Sequence, residues 1–295
     1  MTELASSPSI PRPASLTWNL AKPLRANLGR YILLAIAISY GVLILGLPLA
    51  VVLLEAFKKG LGSYREALLA RDALGAMSLS LLVAFLVVPL NTVFGLAAAW
   101  LLGKFRFRGR NLLITLIDLP LAVSPVVAGL MFVLLYGAQS PLGPWLAAHD
   151  LKIIFALPGI WLSSLFVTLP YVARELLPLL ESQGTELEEA AALLGASGWQ
   201  NFWHISLPRM KWALLHGIIL CNARVLGEFG AVSVVSGHIR GKTNTLPLHI
   251  EILYNEYQFT AAFAAASVLA FLALITLVFK RVAQKHHTQA ASLSA

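Results

Sequence analysis

Charged residues are scarce in this sequence. Only 12 % of its residues are Asp, Glu, Lys or Arg, whereas 58 % are hydrophobic. Soluble domains carry about 25 % charged residues, so this composition excludes an ordinary soluble domain and indicates an integral membrane protein. Cysteine is nearly absent as well, and the single one, Cys221, lies within an apolar stretch. An internal disulfide and a cysteine metal cluster are thereby excluded.

Catalytic motifs are also missing. The sequence contains neither H-E-x-x-H nor G-x-S-x-G, the patterns typical of zinc proteases and serine hydrolases. His204 and Ser206 flank Ile205 without a third partner, and the pair His286 and His287 lacks further ligands. We therefore expect a non-catalytic chain that binds no metal and no cofactor of its own.

The charges that are present are mostly basic, with a formal net charge of +8. In a soluble protein this excess would suggest nucleic-acid binding. In a membrane protein, basic residues instead concentrate in the cytoplasmic loops. We therefore expect a lipid bilayer as the partner of this chain, and no nucleic acid.

Six apolar runs are long enough to cross a hydrocarbon core, which takes about 20 residues. Some contain proline or charged residues, but neighbouring helices can satisfy the backbone groups that such residues free. The sequence therefore predicts an all-α membrane protein with six spans. The runs lie near residues 31–54, 78–103, 112–137, 153–172, 212–237 and 260–279.

An even number of spans places both termini on the same side of the membrane. The tails and loops on that side hold fourteen Lys and Arg residues, the opposite loops hold seven, and Arg224 lies within a span. This excess places both termini in the cytoplasm. The predicted organisation is a cytoplasmic tail (1–30), a transmembrane domain (31–282) and a second cytoplasmic tail (283–295).

A short loop, "KFRFRGR" at 104–110, holds four of these fourteen basic residues. They alternate with Phe105, Phe107 and Gly109. Basic and aromatic residues together are found both in nucleic-acid sites and at membrane surfaces. In a chain this apolar, we interpret the loop as an anchor at the membrane surface.

A longer cytoplasmic loop, residues 173–211, is unusually acidic for the positive side of the membrane. Thr185 and Glu188 have the spacing of a capping box at the start of a helix, and Gly195 fits its end. Pro208 is predicted to end a second short helix. One helical face is apolar, which fits either docking to a partner or packing against this chain's own helices; it carries Leu187, Ala190, Ala191 and Leu194.

The same loop carries a motif that resembles the E-A-A signature of ABC importer permeases. The spacing is E-A-A, three residues, G, nine residues, I, one residue and L-P, without a gap. The resemblance implies a six-helix type I importer domain whose loop is a coupling helix for a separate ATP-hydrolysing subunit. The matching positions are Glu189, Ala190, Ala191, Gly195, Ile205, Leu207 and Pro208.

Two further segments, 118–129 and 220–257, resemble the W-type permease subunit of sulfate and thiosulfate importers. This likeness extends over most of residues 30–280, although the G-E-F-G-A core at 227–231 also resembles molybdate permeases. It implies a bacterial inner-membrane heterodimer with a T-type permease, two ATP-binding subunits that hold ATP and Mg²⁺, and an external sulfate-binding protein. A molybdate or tungstate permease is the alternative, and a stand-alone secondary transporter is the rival class.

Three ionisable residues lie within predicted spans: Asp118, Arg224 and Glu228. Charges there are costly, so their side chains should face the bundle interior or a partner. We expect Asp118, near Pro120 and Pro125, to cap a broken helix structurally. Arg224 and Glu228 are four residues apart on one helical face, which fits either an ion pair that locks packing or an arginine that lines the anion path.

The tripeptide Gly-Lys-Thr at 241–243 resembles the end of a nucleotide-binding P-loop. However, only three residues separate it from Gly237, whereas the motif G-x-x-x-x-G-K-[ST] requires four. Charge counting also places this loop outside the cytoplasm, so we exclude nucleotide binding. The loop is instead predicted to steer the anion or to contact an external protein; its basic residues are His238, Arg240 and Lys242.

Overall fold

The computed structural model describes residues 22–292, without the side chains of 22–28, 277 and 279–292. Its regular structure in this range is helical, which confirms the predicted all-α class. The helices are α1 (Lys22–Gly41), α2 (Leu47–Phe57), α3 (Gly60–Leu69), α4 (Arg71–Lys104), α5 (Arg110–Ala122), α6 (Pro125–Tyr136), α7 (Gly143–Ala148), α8 (Leu157–Thr168), α9 (Pro170–Gln183), α10 (Glu186–Leu193), α11 (Gly198–Asn201), α12 (Leu207–Leu226), α13 (Gly230–Ser236), α14 (Leu246–Asn255) and α15 (Phe259–Ser292).

The first compact unit of the chain ends at Ala50. Here α1 continues through a π-helical turn, Val42–Gly46, into α2. Most of the first predicted tail, residues 1–21, lies outside the described residues, and its remainder already belongs to α1. The helical stretch Gly29–Phe57 is long and apolar enough to cross a membrane.

Within the described residues, four helical stretches are each long and apolar enough to span a membrane. The predicted number of six is reached if each of two bent helix pairs counts as one span. α5 and α6 meet at a bend of 105°, and the helix that contains α12 meets α13 at 48°. The sharper break follows from Pro125, because proline restricts the preceding residue to extended backbone, and Ser124 has φ −57° and ψ 134°.

α4 and α9 pack closely because one face of α4 carries small residues at every fourth position. A Cβ atom added to Gly95 would lie 2.6 Å from Cβ of Val172, and one added to Gly103 would lie 2.7 Å from Cβ of Leu180. Such faces allow helix backbones to approach closely in membranes. The predicted fourth apolar run ends near residue 172, whereas the helical structure continues, because α9 starts at Pro170 and extends to Gln183. Proline is tolerated there, in the first turn of a helix.

The second halves of the two bent spans, α6 and α13, are also in close contact. A Cβ on Gly129 would lie 2.8 Å from the carbonyl oxygen of Ala231, and one on Gly230 would lie 2.8 Å from Cβ of Pro125. Glycines on both helices thus permit this contact. It positions the break between α12 and α13, where the buried Glu228 lies.

Candidate functional site

Five of the seven predicted signature positions lie on a helix–turn–helix unit, residues 184–206, which we call the coupling segment; Leu207 and Pro208 follow at the start of α12. The segment contains α10, α11 and a π-helical turn, Phe202–Ser206, that leads directly into α12. The prediction that Pro208 ends a helix is therefore wrong, because helix Gly198–Leu226 continues through it. In a regular α-helix, the ring of a proline clashes with a carbonyl of the preceding turn. Before Pro208, that preceding turn is the wider π-helical turn Phe202–Ser206.

The turn between α10 and α11 depends on Gly195, whose φ is +90°. Its backbone N–H donates to the Ala192 carbonyl at 3.0 Å, and that of Ala196 donates to the Ala191 carbonyl at 3.0 Å. This is the Schellman arrangement, in which a left-handed glycine ends a helix. The predicted helix end at Gly195 is confirmed.

The capping box predicted at Thr185 and Glu188 is wrong, although α10 does begin after Thr185. The Thr185 hydroxyl donates to the Glu189 carboxylate at 2.5 Å. A capping box occurs instead in the next helix, where Ser197 and Gln200 exchange hydrogen bonds. Both pairs match the spacing S/T-x-x-E/Q. The spacing does not show which pair forms a capping box, because Glu188 is engaged by Lys104, which is distant in sequence.

Glu188 anchors the coupling segment to the end of α4. Its Oε1 lies 2.8 Å from Lys104 Nζ and accepts a hydrogen bond from Ser206 at 3.0 Å. Burial by itself would raise the pKa of Glu188, but hydrogen bonds from Lys104, its own backbone amide and Ser206 leave that pKa below its ordinary value. The anchor therefore persists at neutral pH, and is lost only as pH falls below the ordinary carboxyl pKa of about 4.3.

Two of the four basic residues in 104–110 have partners within the chain, and one of them, Lys104, holds the coupling segment. Lys104 also donates to the Gly184 carbonyl at 2.5 Å. Arg110 forms an ion pair with Glu181 on α9 and donates to the Leu102 carbonyl at 2.9 Å. The interpretation of the loop 104–110 as a membrane anchor missed these ion pairs. The signal for them in the sequence was an acidic stretch and a basic loop predicted on the same side of the membrane.

The outer face of the coupling segment is apolar and uncovered within the described chain. Leu193 and Leu194 are 89 % and 90 % exposed. Three further large apolar residues of the same segment are also exposed: Leu187, Trp199 and Trp203. The predicted apolar face had two alternatives, docking to a partner or packing against this chain's own helices. Leu187 and Leu194 do not pack against the described helices. Exposed apolar residues grouped on one element are typical of an interaction site.

Arg224 and Glu228 form an ion pair at the break between α12 and α13, with Arg224 Nη2 2.8 Å from Glu228 Oε2. The other carboxylate oxygen, Oε1, accepts a hydrogen bond from the backbone N–H of Ala231 at 3.0 Å. The side chain of Glu228 is 1 % exposed and that of Arg224 is 30 % exposed. Glu228 therefore caps α13 while it neutralises Arg224.

Asp118 does not cap the broken helix. It lies inside α5, and its Oδ1 lies 3.4 Å from Nε of Arg174 on α9. The neighbouring Glu175 contacts His216 on α12, with Oε1 2.5 Å from Nδ1. Consecutive residues of α9 thus connect the first halves of both bent spans. These pairs were not predicted, because their members are far apart in sequence.

The loop around Gly241 is held by its own contacts. The hydroxyl of Thr243, which is buried, donates to the Ser236 carbonyl at 2.6 Å. Arg240 forms ion pairs with Glu256 and Asp72. Lys242 is exposed and has no ion-pair partner among the described residues. Of the predicted basic residues, Arg240 therefore has a structural partner set, while Lys242 faces the surroundings.

His204 and Ser206, the flanking pair, do not form a dyad. His204 Nδ1 contacts the Gln200 carbonyl at 3.1 Å, and Ser206 donates to Glu188. The side chains of His286 and His287 lie outside the described residues. No group of three metal-ligating side chains is found within the described part of the chain.

Comparison with known proteins places the chain among transport permeases. Residues 91–287 match the family described as "Binding-protein-dependent transport system inner membrane component". The sulfate transport system permease protein CysW of Synechocystis sp. is 50 % identical, over 92 % of this chain and 99 % of that protein. CysW of Escherichia coli K12 is 49 % identical over 90 % of each chain.

A second permease of Escherichia coli K12, the sulfate transport system permease protein CysT, is 40 % identical over 80 % of this chain and 85 % of its own length. The fold is shared with a bacterial alginate ABC transporter crystallised with an alginate pentasaccharide-bound periplasmic protein. That match has a TM-score of 0.70 at 19 % identity and covers 88 % of this chain and 95 % of the other. The chain belongs to the family of binding-protein-dependent transport system inner membrane components, the permease subunits of ABC importers.

Proposed function

We propose that this chain is a permease subunit of an ATP-driven sulfate or thiosulfate importer. The observation that carries the proposal is the exposed Leu193–Leu194 tip of the coupling segment, which lies within the stretch 189–208 that holds all seven signature positions. The relatives named as sulfate transport permeases match the chain over nearly its whole length. A stand-alone carrier would have no use for an uncovered apolar tip of this kind.

The same signature supports a set of partners. ATP and Mg²⁺ would be held by two separate ATP-binding subunits, one of which receives Leu193 and Leu194. The second permease would be a related T-type chain, since one organism has both a CysW and a CysT protein similar to this chain. A sulfate-binding protein would deliver the anion to the loop that carries Lys242. This arrangement places the chain in the bacterial inner membrane with both termini in the cytoplasm.

The break at Glu228 is the proposed point on the anion path. Arg224 offers a planar fork of donors suited to an oxyanion, and its side chain is 30 % exposed. A fully unpaired arginine would hold the anion too tightly for release. Glu228 lowers that affinity because it already occupies one side of the guanidinium. The anion would then bind while the pair is loosened and leave when it re-forms.

Reconstitution with the three kinds of candidate partner tests the assignment. Proteoliposomes with this chain, a T-type permease, the ATP-binding subunit and the sulfate-binding protein should accumulate sulfate only with ATP and Mg²⁺. Competition with thiosulfate and molybdate then measures anion preference. Sulfate accumulation by this chain alone, driven by an ion gradient, would assign it to the rival class of secondary transporters. Uptake of molybdate but not sulfate would support the alternative oxyanion.

Arg224→Gln tests the anion path. The loss of a charged donor to the anion should reduce sulfate uptake by about 10-fold or more, since hydrogen bonds to charged groups contribute about 1.5–3 kcal/mol. Co-purification of the complex should be unchanged, because the side chain is partly exposed. Arg65→Gln, at an exposed arginine of α3, is the control. Normal uptake by Arg224→Gln would leave Arg224 with only a packing role.

A further inference from the structure

The loop between α4 and α5 contains two arginines that the attachment of the coupling segment does not use. Arg106 and Arg108 are exposed, and neither has a hydrogen-bond or ion-pair partner among the described residues. The flanking Lys104 and Arg110 are both paired with glutamates. A charge of +2, from Arg106 and Arg108, therefore remains uncompensated within the loop 104–110.

Aromatic residues alternate with these arginines. Phe105 and Phe107 are 49 % and 40 % exposed. Phe105 has extended backbone, with φ −115° and ψ 140°, and successive side chains point to opposite sides of such a backbone. Its ring contacts Trp100 edge-on, with a centroid distance of 5.6 Å. Aromatic side chains of this kind are enriched where a membrane meets water.

The position of the loop indicates the same boundary. It connects the end of α4, which contains an 18-residue window of mean hydropathy 2.3, to the start of α5. Leu112 and Leu116, in the first turns of α5, are 65 % and 54 % exposed. A cleft of about 250 Å³ lies beside Arg106 and Leu112. Its lining residues are Arg106, Phe107, Gly109, Arg110, Asn111 and Leu112.

We propose that Arg106 and Arg108 bind the phosphate headgroup of an anionic phospholipid, such as phosphatidylglycerol. Guanidinium groups match phosphate oxygens in bidentate geometry. The acyl chain would lie along Leu112 and Leu116, which a soluble phosphate or an acidic protein surface would leave uncovered. Basic segments next to a span are attracted to anionic lipid in this way.

The site has a consequence for the coupling segment. The loop that carries Arg106 and Arg108 is bounded by Lys104, which holds Gly184 and Glu188, and by Arg110, which holds Glu181. A lipid bound between these two anchors restrains the loop on which both depend. Anionic lipid should therefore tighten the attachment of the coupling segment.

Native mass spectrometry of the purified full chain tests lipid binding directly, and does so independently of transport. Phosphatidylglycerol should bind more tightly than phosphatidylcholine, and Arg106→Gln/Arg108→Gln should weaken its binding by about 10-fold to 30-fold. Arg106→Lys/Arg108→Lys should recover part of the affinity because the charge is kept. The matched control is Arg65→Gln/Arg71→Gln, which removes two exposed arginines elsewhere that have no ion-pair partner among the described residues, and it should leave this affinity unchanged.

Four results would overturn the proposal. Equal losses in both glutamine double variants would indicate general charge attraction rather than a site. Displacement of the lipid by excess inorganic phosphate would indicate a site for the free ion. Unchanged phosphatidylglycerol binding together with weaker co-purification of the ATP-binding subunit would assign the loop to a protein interface. Unchanged binding with unchanged co-purification would leave both arginines without a ligand.

Discussion

At the residue scale, Gly195 shows how a single backbone angle supports a proposed partner contact. Its φ of +90° ends α10, and space around it is open, since a Cβ atom added there would meet nothing within 4 Å. A substitution is therefore disfavoured by backbone strain and not by a clash. Non-glycine residues pay about 1–2 kcal/mol in the left-handed region, and β-branched ones are genuine outliers there.

Gly195→Val should therefore distort the turn and reduce sulfate-stimulated ATPase activity of the reconstituted complex several-fold. Membrane insertion should be normal, because the turn lies outside the spans. Gly198→Val is the matched control: Gly198 begins α11 directly after the turn, has open space around it and lacks a positive φ. Full ATPase stimulation in Gly195→Val would contradict a role of this turn in coupling.

At the element scale, close helix packing depends on glycine more than on hydrophobicity. α4 is apolar nearly all round, so its periodicity does not reveal which side faces α9. The positions of Gly95 and Gly103 decide it, because only there can the backbones approach. The polar Asn91 continues the same face and donates to the Thr168 hydroxyl at 2.7 Å. One face of α4 thus combines close approach with interhelical hydrogen bonding.

Gly95→Ala should lower the free energy of unfolding by about 1–3 kcal/mol, since the added methyl group would overlap Val172. Gly62→Ala, in α3, is the matched control because nothing lies within 4 Å of its added Cβ. It should be neutral or stabilising by about 0.5–1 kcal/mol. Thermal unfolding in detergent measures both variants. Equal midpoints for the two would exclude tight α4–α9 packing.

At the scale of the whole molecule, the proposed function requires the coupling segment and the loop with Lys242 to face opposite sides of the membrane. We propose this orientation from the distribution of Lys and Arg, and the chain itself offers a convenient probe of it. Its single cysteine, Cys221, is fully buried. A Cys221→Ala background therefore leaves only introduced cysteines to react.

In that background, Lys242→Cys should react with a membrane-impermeant maleimide in intact cells. Arg108→Cys should react only after the membrane is permeabilised, because its loop is on the side with the positive excess. The extent of labelling is read from the mass of the purified chain. The opposite pattern would invert the proposed topology and place the coupling segment outside the cytoplasm.

Much of the function was predictable because the signals are local. Apolar runs determine which segments can cross a membrane, since the bilayer requires a minimum helix length. The spacing of Glu189, Gly195 and Pro208 identifies the signature without knowledge of contacts. The left-handed turn at Gly195 was likewise predictable, because glycine is the residue that adopts it without strain.

The tertiary structure decided what depends on partners distant in sequence. Lys104 reaches Glu188, Asp118 reaches Arg174, and the break before Pro125 bends by 105°. The sequence predicted that Glu188 and Asp118 would each cap a helix. In the structure, each carboxylate instead forms an ion pair with a residue of a neighbouring helix. The sequence by itself determined the membrane class, the signature and the transport family it resembles. Only tertiary contacts decided which charges are paired within the chain and which, as at Arg106 and Arg108, remain open to a ligand.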